Sequence, residues 1–288
     1  MSPEGTEDAA GTTPDATAPE PDLEGLRVLI TGGSSGIGAA LAEGFARRGA
    51  IVGICARRAD RLDEVLQRLQ VHSPKSRAWT VDLGNLNEVA ALAVRCVDEL
   101  GGLDLLINNA GIPKRRWAWA HRPDEISDVL RINLESPIRL TLGLLDELIA
   151  SEGAVIFIGS VAARLSPPSE AVYAASKAGI TAFAESLSVD LAVAGKPVRV
   201  HVVQPGVLDT ELFGLADNDA SIADVEPLAV EDIVEPVLAM LARGNFEQFV
   251  PAWFADIPPL KANDLDGFLR GSVEYTITRL TALGRSAT

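Results

Sequence analysis

The chain has 288 residues, 47% of them hydrophobic, which is enough core for one large α/β domain or two smaller ones. Its formal net charge of −15 argues against a non-specific nucleic-acid binder, which needs clustered Lys and Arg against phosphate. Two cysteines, Cys55 and Cys96, and three scattered histidines, His72, His121 and His201, offer neither a disulfide framework nor metal-ligand spacing, so no metal is expected.

Residues 1–24 carry no Lys or Arg and a single large aliphatic residue after Met1, Leu23, a composition that predicts a disordered acidic tail. They also lack the basic and apolar regions of a secretory signal, and no apolar run approaches the ~20 residues that span a bilayer. A soluble cytoplasmic protein is the expectation. From Leu26 onward, short apolar runs alternate with amphipathic stretches, as in βαβ units. Strands are expected at Leu26 to Thr31, Ile51 to Cys55, Arg77 to Val81, Leu103 to Ile107, Ala154 to Gly159, Val198 to Val203 and Gln248 to Val250. Helices are expected at Gly36 to Arg48, Asp60 to Val71, Asn85 to Leu100, Pro123 to Ile149 with a break near Ser136-Pro137, Ala171 to Ala194, and Val230 to Arg243. The order predicts a single α/β domain over residues 25–250, a Rossmann-like doubly wound parallel sheet of about seven strands flanked by helices. Residues 251–288 form a C-terminal extension, expected as irregular chain plus one helix packing on the domain or on a partner subunit.

Thr31-Gly32-Gly33-Ser34-Ser35-Gly36-Ile37-Gly38 lies between the first strand and the first helix. Glycines there permit a tight turn and close backbone approach, while the helix N–H groups and dipole face a pyrophosphate. After the second strand come Arg57 and Arg58, where an acid would bind a ribose 2′-hydroxyl and a base would accommodate a 2′-phosphate. No acid stands there, so Arg57, Arg58 and the Ser34 hydroxyl argue for NADP(H) over NAD(H). Asp82, with Leu83 beside it, is placed to accept from the adenine amino group or to cap the helix that follows. Asn108-Asn109-Ala110-Gly111 shapes the cleft beside the adenine ribose or is simply a turn.

Tyr173 and Lys177, four positions apart on one helix, put a phenol and an ammonium on one face, and Ser160 ends the fifth apolar run. A phosphate cradle with a hydroxyl, a phenol and a lysine is the equipment of a nicotinamide-dependent carbonyl or alcohol oxidoreductase. Together with Asn133 and Pro205-Gly206-Val207-Leu208-Asp209-Thr210, these motifs closely resemble the short-chain dehydrogenase/reductase family over roughly residues 25 to 250. The resemblance implies Tyr173 as general acid and base, with Lys177 lowering the phenol pKa and holding the nicotinamide ribose. It further implies Ser160 as donor to the substrate oxygen and Asn133 as holder of a water that links Lys177 to solvent. Val207 and Thr210, after Pro205 and Gly206, would hold the nicotinamide carboxamide for pro-S delivery, and a homodimer or homotetramer is implied.

Glu211 through Glu226, polar and poorly periodic, are expected to form a mobile lid. Lys114-Arg115-Arg116-Trp117-Ala118-Trp119 is open between a wall for an anionic or aromatic substrate and a dimer contact. Leu165, Ser166, Pro167, Pro168 and Val172 would border a pocket for a lipophilic carbonyl or secondary alcohol. The alternatives are a 3-oxoacyl thioester reductase of the same family and a catalytically idle NADP(H)-sensing protein.

Overall fold

In the computed structural model, which describes residues 21–211 and 217–286, the apolar runs extend as the strands of one sheet. The first half alternates as β1 (Arg27–Thr31), α1 (Gly36–Ala46), β2 (Ile51–Ala56), α2 (Ala59–His72), β3 (Arg77–Thr80), α3 (Leu86–Leu100) and β4 (Leu105–Asn108). The second half continues through α4 (Pro123–Leu130), a π-helical turn (Arg131–Glu135), α5 (Ser136–Gly143), α6 (Leu145–Ala150), β5 (Ala154–Ile158), α7 (Ala162–Leu165), α8 (Ala171–Val193) and β6 (Arg199–Pro205). It closes with α9 (Val234–Arg243), β7 (Glu247–Val250), α10 (Ile257–Asn263) and α11 (Leu265–Ala282). The strand order is β3-β2-β1-β4-β5-β6-β7 with every pairing parallel, so the winding direction reverses between β1 and β4. Their carboxyl ends part there and leave a crevice for a ligand.

The two-residue period of each strand divides the core between the sheet faces. Val28, Ile30, Val52 and Ile54 pack with Leu41 and Phe45 of α1 and Val237 and Leu238 of α9. Leu29, Cys55, Leu106, Val155 and Phe157 pack on the other face, against Leu92 and Cys96 of α3 and Ala184 and Leu187 of α8. Both faces being covered explains why the central strands read as continuous apolar runs. No helix among the described residues is long and apolar enough to cross a membrane.

The expected strands and helices all form, with ends shifted by a few residues, and four expectations need correction. Leu23 is 2% exposed and belongs to the core, and Gly25 N–H donates to the Gly49 carbonyl at 2.9 Å, so the folded chain begins before residue 25. One apolar side chain with a core cavity to fill outweighs the polar composition around it; residues 1–20 of the expected tail lie outside the described residues. The long helix changes character earlier than the Ser136-Pro137 pair suggests, at the π-helical turn Arg131–Glu135, and it is interrupted again at Leu144. Pro137 sits in the first turn of α5, where a missing N–H costs nothing. Val230–Ile233 is a 3₁₀ turn ahead of α9, and the C-terminal extension is a 3₁₀ turn (Ala252–Asp256) with two helices, α10 and α11, rather than irregular chain with one.

Candidate active site

The glycine-rich turn is built from β2 and β4 as much as from its own residues. The Cys55 carbonyl accepts from the N–H groups of Gly32 at 2.8 Å and Gly33 at 3.2 Å. Gly32 (φ +70°) and Gly36 (φ +53°) adopt the left-handed region, and a Cβ on Gly38 would overlap the Gly32 carbonyl oxygen, so α1 can start directly beneath the turn. Ser35, the residue before α1, makes no side-chain cap, which leaves the first helical N–H groups facing the crevice. Ser34 is buried, and Ile37 packs against the core.

Asn109 braces this turn. Its backbone N–H donates to Thr31 Oγ1 at 2.9 Å and its Nδ2 to the Thr31 carbonyl at 2.9 Å, while Ala110 N–H donates to the same Thr31 Oγ1 at 3.0 Å. The Asn109 Nδ2 therefore holds the turn in shape. Asp82 Oδ1 accepts from Gly84 N–H at 2.9 Å, and Asn85 rather than Asp82 caps α3. Leu83 is buried with Trp79 and Val89. At the second-strand end Arg57 is exposed, whereas Arg58 Nη2 donates to Ser35 Oγ at 2.9 Å.

On the nicotinamide side, Asn133 is buried in the π-helical turn. Its Oδ1 accepts from Ile112 N–H at 2.8 Å, and its Nδ2 donates to the Ile112 carbonyl at 2.9 Å and to Ser176 Oγ at 3.1 Å. The wide turn thus lets a helix side chain pin the chain after Gly111, where a Cβ would stand 3.3 Å from Asn133 Oδ1 and 3.5 Å from Lys177 Nζ. Lys177 is buried, donates to the Ile158 carbonyl at 2.7 Å, and lies 5.8 Å from the centre of the Tyr173 ring. Burial lowers its pKa to about 8.

Tyr173 faces Ser160 across the gap between α8 and the end of β5. Burial raises the phenol pKa well above its ordinary value, the Glu170 carboxylate adds to the rise, and the Ser160 hydroxyl and Arg115 guanidinium oppose it. The sequence pointed to Lys177 as the cation acting on the phenol; in this arrangement its ammonium donates to the Ile158 carbonyl, and the Arg115 guanidinium is a further positive charge that opposes the rise. Beyond β6, Gly206 N–H donates to the Val250 carbonyl at 2.8 Å, Leu228 N–H donates to the Val207 carbonyl at 3.0 Å, and Thr210 Oγ1 is buried with no hydrogen-bond partner among the described residues.

Residues 27–220 match the family model for short chain dehydrogenase. The chain belongs to that family. A short chain dehydrogenase of Pseudocercospora fijiensis is 34% identical over 220 residues, covering 74% of this chain and 70% of the relative. The 3-oxoacyl-[acyl-carrier-protein] reductase FabG of Vibrio cholerae is 31% identical over 216 residues, covering 75% and 86%. Among solved structures, a short-chain dehydrogenase from Sphingobium yanoikuyae in complex with NADPH superposes with a TM-score of 0.73 at 30% identity, covering 86% of this chain and 95% of that one.

As a short-chain dehydrogenase, the protein carries supports that the motifs alone did not name. Gln204, fully buried in β6, accepts from Ser160 N–H at 2.8 Å and donates to Thr181 Oγ1 at 3.2 Å and Glu247 Oε1 at 2.9 Å. A lone amide between Val203 and Pro205 in an apolar strand was the available signal. Phe254 from the C-terminal extension lies on Gly206 so closely that a Cβ there would collide with its ring, and Trp253 stacks on Phe254 at 3.8 Å. The cations of the Lys114 to Trp119 segment turn inward: Lys114 and Arg116 pair with Glu125 and Asp217, and Arg115, 2% exposed, donates from Nε to the Asp219 carbonyl at 3.0 Å. They fasten residues 217–219 and are not presented to an anionic ligand; Trp117 and Trp119 stack on each other, with Trp119 73% exposed. Of the expected lid, residues 212–216 lie outside the described residues.

Proposed function

We propose that this short-chain dehydrogenase transfers hydride between NADP(H) and a lipophilic carbonyl or secondary alcohol, with Tyr173 as the proton-transferring group. The observation that carries the reading is the convergence of the Ser160 hydroxyl, the Tyr173 phenol and the buried Lys177 ammonium beside the glycine-rich turn. The cofactor fits what the residues leave open: uncapped N–H groups at the start of α1, the close approach allowed at Gly32, Gly36 and Gly38, and the unpartnered Thr210 Oγ1. Ser34, Ser35, Arg57 and Arg58 would hold the adenosine end, with Asp82, Leu83, Ala110 and Gly111 along the adenine ribose. Lys177, Pro205, Gly206, Val207 and Thr210 would hold the nicotinamide end. The bound nicotinamide supplies the hydride.

Tyr173 holds the proton that passes to the substrate oxygen, and its raised pKa keeps that proton in place at neutral pH, which suits reduction. Ser160, whose backbone is fixed by Gln204, donates to the same oxygen and stabilises the charge that builds there. Asn133 positions the chain after Gly111 so that Lys177 can exchange the Ile158 carbonyl for a ribose hydroxyl. The apolar reading of the substrate is supported by Phe254 and Trp253 over Gly206. The FabG relative supports a second reading, a 3-oxoacyl thioester as the carbonyl. A homo-oligomer remains our expectation for the assembly, read by light scattering.

Fluorescence titration with NADPH and NADH, followed by the absorbance decay of the bound nucleotide against lipophilic ketones, aldehydes and 3-oxoacyl thioesters, tests the reading. In Tyr173→Phe, turnover should fall by about 10²–10⁴-fold with cofactor affinity kept, since one oxygen is lost and little volume. Normal turnover in that variant would defeat the proposed mechanism.

A further inference from the structure

We propose that Glu211 sets the preference between NADP(H) and NAD(H), by holding a carboxylate against the arginines that would otherwise take a 2′-phosphate. The inference rests on the nicotinamide-cofactor reading above. The end of β2 carries bases and no acid, but the fold brings an acid to them from the far side of the crevice. Glu211 Oε2 accepts from Arg58 Nη1 at 3.0 Å, and its Oε1 accepts from Arg61 Nη1. The other arm of Arg58 is anchored on Ser35 Oγ at 2.9 Å, so the carboxylate is tied to the phosphate-cradling turn itself. Thr210 fixes the approach of Glu211: a Cβ on Gly36 would come within 3.3 Å of Thr210 Cγ2, so the chain before Glu211 runs directly over the turn. The two guanidinium groups hold the Glu211 carboxyl below the usual carboxylate range, so it is charged at neutral pH.

Two of the three arginines near this end are therefore already engaged, and Arg57 alone has no hydrogen bond or ion pair among the described residues. A 2′-phosphate arriving here meets Arg57 favourably and Glu211 as a like charge that it must displace from Arg58 and Arg61. A bare 2′-hydroxyl needs no displacement and finds a carboxylate, the acceptor that NAD-binding sites commonly carry at this place. The same residue thus weakens one cofactor and accommodates the other, and specificity is the difference between the two.

The test is the dissociation constants of NADPH, NADH, 2′,5′-ADP and 5′-AMP for the full-length protein and for Glu211→Gln, by fluorescence titration or calorimetry. Because the Glu211 side chain is 50% exposed, the substitution should fold normally, and a melting curve checks this. We expect NADPH and 2′,5′-ADP to bind about two- to fivefold more tightly, the range for breaking an exposed ion pair, with NADH and 5′-AMP unchanged or weaker. In Arg61→Gln, NADPH should weaken while NADH does not. Equal shifts for both cofactors, or no shift for NADPH, would overturn the assignment of Glu211 and leave the cofactor reading standing. If the unsubstituted protein binds none of the four, the cofactor reading fails and this inference with it.

Discussion

A phenol whose pKa is raised by burial keeps its proton through neutral pH, so the two directions of the reaction should respond oppositely to pH. Under the proposed mechanism carbonyl reduction uses protonated Tyr173 and should hold its rate through neutrality and decline only in alkali. Alcohol oxidation by the same mechanism uses the ionised form and should climb as pH rises. Glu170 pushes the phenol upward by charge, so Glu170→Gln should move the rising limb of oxidation to lower pH with cofactor affinity unchanged. An unmoved pH profile would mean that Glu170 does not act on Tyr173. At this scale the sequence was most informative where a residue type has one chemical use, as with the phenol, the ammonium and the turn glycines. It was least informative for Asn109, Asn133 and Gln204, because an amide serves equally to touch a ligand or to brace a backbone, and only its neighbours decide. All three make at least one hydrogen bond to a backbone group around the crevice.

At the scale of elements, β6 couples the sheet to pH through His201. Its Nδ1 donates to the Asn245 carbonyl at 2.7 Å while Nε2 is buried without a partner, and burial lowers the imidazole pKa below its ordinary value. The unfolded chain takes up this proton near pH ~6.5 and the folded chain resists it, so the contribution is present above ~6.5 and lost as pH falls through the lowered folded value. The melting temperature should drop on acidification from neutral, and His201→Gln should flatten that dependence; equal slopes in both proteins would remove His201 from the account. Strand and helix identities were legible from two-residue and 3.6-residue apolar periods. The π-helical turn was not, since widening by one residue leaves the apolar period intact, and it exists to seat Asn133 against Ile112.

For the whole molecule, the C-terminal extension packs against the turn after β6. Phe254 covers Gly206, Lys261 of α10 donates to the Arg164 carbonyl at 2.9 Å and Ser166 Oγ at 2.7 Å, and Arg279 of α11 pairs with Asp224 at 2.7 Å. These contacts tie α10 and α11 to the turn after Ser160 and to the chain beyond Asp217. Phe254→Ala should lower stability by about 3 kcal/mol and loosen cofactor binding together, because the cavity opens directly behind the Pro205-Gly206 turn. A stability loss with unchanged cofactor affinity would confine Phe254 to packing. The extension read poorly in sequence because much of α11 is solvent-facing, with Leu265, Leu269, Val273 and Ile277 exposed, so its apolar residues do not trace a buried stripe.

The sequence by itself determined the parallel sheet and its order of motifs, because apolar periodicity and residue chemistry are local properties carried by neighbouring positions. It also fixed the absence of an acid just after β2. Only the tertiary structure decided which charges meet. Arg115 reaches the Asp219 carbonyl, Leu23 enters the core, and Glu211 reaches Arg58 and Arg61 across some 150 residues of chain. Coulomb and contact energies depend on distance in space, and no spacing along the chain encodes it.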